Sequence, residues 1–85
     1  MTSSVQVRIK LFALARDLAG TETLALDIPA DCTVARLRTI LVDRAPALAS
    51  VLARSAIAVN LEYARDDTRI APTDEIAIIP PVSGG

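Results

Sequence analysis

Strict alternation of apolar and polar side chains over residues 5–12, VQVRIKLF, constrains this chain more than any other feature. Val5, Val7, Ile9 and Leu11 share one parity, while Gln6, Arg8 and Lys10 take the other. Successive side chains of a strand point to opposite faces, so this segment has one face to bury and one to leave in water. A strand cannot bury that face alone. The rest of the 85 residues must supply a second layer, and a chain of this length has room for one domain around one core.

The covering layer is legible further along. Thr33 is placed as an N-cap for a helix over 34–45, in which Val34, Leu37, Ile40 and Leu41 form an apolar stripe while Arg36, Arg38 and Asp43 face water. Pro46 disfavours the helical region at Ala45 and closes the helix, after which Leu48, Val51 and Leu52 keep helical spacing for another turn or two. Before the helix, ALARDLAG sets Leu14 and Leu18 four apart and puts Gly20 where a left-handed residue ends a short helix. Residues 22–28, ETLALDI, return to period two, with Leu24, Leu26 and Ile28 on one side and Pro29 ending the pairing. After it, AIAV at 56–59 is a short buried strand, Asn60 a turn residue and Glu62-Tyr63-Ala64 a brief return strand. Residues 65–68 and 72–74 are turn chemistry with only Ile70 large and apolar between them, and EIAII at 75–79 is the last strand.

This order predicts an α+β domain with one sheet face covered by one main helix. The ββαβ(β)β sequence of elements is that of the β-grasp, or ubiquitin-like, fold, a mixed sheet of four or five strands. By that analogy 5–12 and 75–79 are parallel neighbours in the middle of the sheet. Residues 1–79 form the domain and 80–85 an extended, flexible tail ending in Gly-Gly.

Composition removes several functions. Histidine is absent, and with it the commonest general base and metal ligand, so neither a self-sufficient hydrolase nor a metal site is expected. No phosphate-cradling glycine motif is present. The net charge of -1, the scattered basic residues and an aromatic inventory of Phe12 and Tyr63 argue against nucleic acid. No apolar run approaches a bilayer span, and nothing at the N-terminus reads as a leader, so a soluble cytoplasmic protein is expected. Cys32, the only cysteine, lies at the start of the helix, where the macrodipole lowers a thiol pKa. The general burial habit of free cysteine favours an inert, partly buried side chain instead. Asp66-Asp67 reads as a solvated turn.

The end of the sequence is different. Pro80-Pro81-Val82-Ser83-Gly84-Gly85 follows the last strand, with two prolines to stiffen its root and six residues able to reach about 20 Å. Glycine has no Cβ, so a terminal Gly-Gly can bring a carboxylate into a channel too narrow for any other residue. Strand parity adds a second feature. With Ile76 and Ile78 toward the helix, Ile79 falls on the opposite face, where together with Phe12 and Tyr63 it forms either an exposed apolar patch near the tail root or a minor core beneath 60–72.

In IIPPVSGG, in the TDEIAIIPP that leads into it, in AVN at 58–60 and in LFALARDLAGT at 11–21, the chain resembles the small subunits of molybdopterin synthase along nearly its whole length. The resemblance implies a carrier of sulfur with no catalytic residues of its own. A ubiquitin-activating-type adenylyltransferase uses ATP to adenylate the Gly85 carboxylate, and a sulfur donor protein supplies the atom that makes it a thiocarboxylate. The tail, residues Pro80 to Gly85, then enters the large synthase subunit, where sulfur passes to cyclic pyranopterin monophosphate. In that family two small and two large subunits form a heterotetramer; the parity-derived patch of Phe12, Tyr63 and Ile79 is then expected at the partner interface, and no cofactor is expected on this chain. Isoleucine stands before Pro80 where the family favours bulkier aromatics. The alternatives are a sulfur carrier for thiamine thiazole or cysteine synthesis, and a ubiquitin-like modifier of lysines. Deleting Gly85 is expected to abolish sulfur transfer while leaving thermal melting unchanged, since a residue beyond the two prolines adds almost no burial. Transfer by the shortened chain, measured alongside its melt, would refute the carrier reading.

Overall fold

The computed structural model describes residues 4–81. Its strands are β1 (Ser4–Leu11), β2 (Thr23–Pro29), β3 (Ala56–Val59), β4 (Glu62–Tyr63) and β5 (Ile76–Ile79). Its helices are α1 (Ala13–Ala19), α2 (Val34–Arg44) and α3 (Ala49–Leu52), the last preceded by a 3₁₀ turn at Pro46–Leu48. The sheet order is β2-β1-β5-β3-β4. β1 and β5 run parallel at its centre, with Ile9 opposite Ile76 and Leu11 opposite Ile78, and every other pairing is antiparallel. This is the β-grasp arrangement expected from the element order.

Alternation decides which face is buried. Val7, Ile9 and Leu11 of β1, Ile28 of β2, Ile57 and Val59 of β3, and Ile76 and Ile78 of β5 all point into the core. There they meet Val34, Leu37 and Leu41 of α2, together with Leu48, Val51 and Leu52. Full burial of each such aliphatic side chain is worth roughly 1.5–3 kcal/mol, so the two-layer contact is the main source of stability. Ile70 is buried in this same core, which leaves no minor core beneath 60–72.

The helix ends follow local chemistry. Thr33 accepts a hydrogen bond from the Arg36 amide at 3.3 Å, the N-cap its position implies. The Val34 and Ala35 amides, which have no partner within the helix, donate to the Thr68 and Asp66 carbonyls at 2.9 and 3.0 Å. In this way the segment after β4 is tied to the start of α2. Gly20 ends α1 in the left-handed region at φ 74°. Although Leu14 and Leu18 supply the helical spacing of α1, Ala15 is its buried residue and both leucines are exposed. A helix of seven residues meets the core along a narrow stripe, which Ala15 fills.

Arg38 is the main correction. Instead of facing water it reaches across to donate to the Leu52 carbonyl at 2.7 Å, which also accepts from the Ser55 amide, and to the Ser55 carbonyl at 2.8 Å, just beyond the end of α3. One planar guanidinium thus joins α2 to the turn that launches β3. Asp66, 3.8 Å away and mostly exposed, adds little. Arg38→Ala is expected to destabilise the domain by about 1–3 kcal/mol, the loss of charged hydrogen bonds to half-buried carbonyls. Arg38→Lys, with no planar fork, should recover only part of that in urea denaturation. A wild-type midpoint for Arg38→Ala would show that the clamp adds nothing to stability.

Candidate functional site

The helices cover one face of the sheet and leave the other open, and the open face carries the candidate site. One rung runs straight across four strands: Lys10 of β1 opposite Ala77 of β5, Ala77 opposite Ala58 of β3, and Ala58 opposite Tyr63 of β4. The two alanines are too small to fill their positions, so the sheet has a floor at Ala58 and Ala77. Around it rise Phe12, Tyr63, Ile79 and Leu61, with Lys10 and Glu75 at the side. The result is an apolar hollow of about 300 Å³ beside the strand that leads to the tail.

Three of the residues singled out in the sequence, Phe12, Tyr63 and Ile79, are therefore brought together. Phe12 is 48% exposed and Tyr63 74%, which is costly placement for aromatics in an isolated domain. Ile79 is half-buried, sharing the open face with Ala77 while Ile76 and Ile78 are fully buried behind it. Lys10 and Glu75 make an ion pair at 2.8 Å, with both side chains about half exposed. Such a pair orients the rim more than it stabilises the fold. Sequence reasoning missed Leu61. Its signal was present, an apolar residue directly after a turn-forming Asn, but nothing in strand periodicity points to a loop side chain.

The tail root is sharply divided. Pro80 is buried and Pro81 exposed. Proline has no N–H, so the ladder on β5 ends at the Ile79–Ala56 pair. Val82, Ser83, Gly84 and Gly85 lie outside the described residues.

Cys32 is a structural thiol. It is buried, its Sγ–H donates to the Thr33 carbonyl at 3.3 Å, and its own carbonyl accepts from Ile70. Burial pushes its pKa above the ordinary thiol value, only partly opposed by the Arg36 charge, so the thiol stays protonated and unreactive near neutral pH. Asp66 and Asp67 are exposed turn residues, and no group of acidic, cysteine or histidine side chains able to hold a metal occurs among the described residues. Among those residues, too, no helix is long and apolar enough to cross a membrane.

Comparison with known proteins adds the following. The ThiS family profile matches residues 9–85. A molybdopterin synthase sulfur carrier subunit of Arabidopsis thaliana is 42% identical, over 99% of this chain and 88% of its own. SAMP1 of Haloferax volcanii superposes with a TM-score of 0.82 at 34% identity, over 94% of this chain and 99% of its own. The Helicobacter pylori complex of subunits 1 and 2 of molybdopterin-converting factor contains a chain that superposes with a TM-score of 0.69 at 27% identity, over 95% of this chain and 100% of its own.

The parity of β5 is open to direct test. Ile79→Lys should leave the free domain folded with a loss of about 1 kcal/mol or less, since a lysine stem can lie along the hollow with its ammonium in water. Ile78→Lys should unfold it, because an unpaired charge in the core costs several kcal/mol. Urea titration of the two variants reads the difference, and equal losses would mean the register is wrong by one residue.

Proposed function

The chain belongs to the ThiS family and stands among its molybdopterin synthase sulfur carrier subunits, and from that membership we propose how it works: as the subunit that brings sulfur to molybdopterin synthase on its terminal glycine. The observation that carries the proposal is whole-length likeness to a named sulfur carrier subunit, in a family match that extends through Gly85. The geometry supports it. The central strand β5 ends at a buried proline and leads directly to Pro81-Val82-Ser83-Gly84-Gly85, next to an apolar hollow with the character of an unfilled interface.

The chemistry follows from what a carboxylate lacks. It is a poor acyl donor, because its leaving group would be oxide. An adenylyltransferase overcomes this when the Gly85 carboxylate attacks the α-phosphate of ATP and releases pyrophosphate, leaving an acyl-adenylate with AMP as a good leaving group. The outer sulfur of a donor persulfide attacks the acyl carbon and displaces AMP, and a second thiol reduces the resulting acyl disulfide, leaving the thiocarboxylate on Gly85 and a disulfide on the donor side. The large subunit receives the tail, with Phe12, Tyr63 and Ile79 against its surface, and sulfur passes to cyclic pyranopterin monophosphate. Gly84 and Gly85 suit this passage because they have no side chains. In this reading the chain holds no cofactor, the ATP belongs to the activating enzyme, and the work takes place in the cytoplasm.

A different role is favoured by the likeness to SAMP1, a small archaeal modifier protein. One experiment separates the two. Incubated with ATP, a sulfur donor and its cognate adenylating enzyme, the protein should gain the mass of sulfur in place of oxygen, and fragmentation should locate the change at Gly85. Cys32→Ala should be modified as fully as the parent. Sulfur found as a persulfide on Cys32, or a tail joined to lysines with no thiocarboxylate formed, would overturn the proposal.

A further inference from the structure

The two-residue turn between β3 and β4 is made of Asn60 and Leu61, both at positive φ, 53° and 70°. That is the type I′ hairpin, whose second position is ordinarily glycine because a side chain there is strained. Here it holds a leucine that is 89% exposed, the most exposed large apolar residue described. Two unfavourable choices coincide at one position, and glycine would relieve both. The only other non-glycine residue with positive φ among those described is Ala13, directly after Phe12. Each non-glycine positive-φ position is therefore either a lining residue of the hollow, Leu61, or the chain neighbour of one, Asn60 beside Leu61 and Ala13 beside Phe12, the pattern expected where function constrains conformation.

The strained turn is held from behind. Asn60 Nδ2 donates to Asp74 Oδ1 at 2.9 Å, the Glu75 amide donates to Asn60 Oδ1 at 2.9 Å, and the Asn60 amide donates to the Glu75 carbonyl at 2.8 Å. Asp74 Oδ2 in turn accepts from the Ala71 amide at 2.7 Å. Every polar atom of the Asn60 side chain is used, and all of them fix the turn to the segment that enters β5. Leu61 is therefore set in position relative to Ile79, on the far side of the same hollow.

We propose that Leu61 is a specificity-determining anchor for the large synthase subunit, held against its own backbone preference by the Asn60–Asp74 clamp and projecting from the hollow into an apolar recess of that partner. Asn60 and Asp74 are positioning residues and act through Leu61. The proposal rests on the sulfur-carrier reading, which names the partner. It adds a contact that strand parity does not supply and that the exposure and strain of one residue do.

The test is titration of the full-length protein against the large subunit, with thermal melting of each variant. Leu61→Gly should melt at or above the parent temperature, because its strain is gone, yet bind about tenfold more weakly, as truncation of an interface anchor does. Asn60→Gly keeps the turn conformation accessible but removes the clamp, and should also weaken binding. The double variant should bind no worse than Leu61→Gly alone, since the clamp has nothing left to position. Parent-like binding by Leu61→Gly, with Ile79→Lys weakened, would overturn this proposal and leave the carrier reading standing. Parent-like binding by both variants, or no binding by the parent, would overturn both. Strictly additive losses in the double variant would overturn the positioning role of Asn60.

Discussion

Everything in this molecule depends on the parallel pairing of β1 with β5. It joins the first strand to the last across nearly the whole sequence, and it places Ile9, Leu11, Ile76 and Ile78 side by side beneath α2. Because β5 is only four residues long and hydrogen-bonded on both sides, it has no freedom to slip. Its parity settles two matters together. The residues that turn inward complete the core, and those that turn outward, Ala77 and Ile79, give the open face its floor and one wall.

The hollow on that face is a consequence of small residues as much as of large ones. Ala58 is buried on the open side although no helix covers it, because Tyr63 and its neighbours rise around it. A monomer gains nothing from Phe12, Tyr63 and Leu61 in water, and the ion pair beside them is too exposed to compensate. The fold is stabilised by one face of the sheet, and that leaves the other free to be shaped for a partner.

What the sequence made legible was whatever follows from period and punctuation. Alternation in β1 and β5, the Thr33 cap, the Gly20 stop and the Pro46 break each rest on local sterics, and each is found in its expected place. What it hid was long-range. Arg38 looks like a solvent-facing helix residue until α3 and the turn after it bring the Leu52 and Ser55 carbonyls within its reach. The apolar spacing of Leu14 and Leu18 is helical, but which side of a two-turn helix meets the core is decided by the core. The clamp from Asn60 to Asp74 spans fourteen residues and needs β3 and β5 already paired. Leu61 broke a turn rule, and the same break that obscured it in the sequence makes it conspicuous in the structure.

The position of β5 also has a mechanical meaning. A tail rooted on an edge strand could be pulled away one hydrogen bond at a time, like a zip. Here traction on Pro81 is transmitted along the axis of a strand bonded to β1 on one side and β3 on the other. Such a load is shared as shear by both ladders together, with Ile76 and Ile78 as buried keys resisting the slide. In the proposed carrier role, where the last residues enter other proteins and are withdrawn again, the chain is anchored at the point in its sheet where tension is least able to peel it.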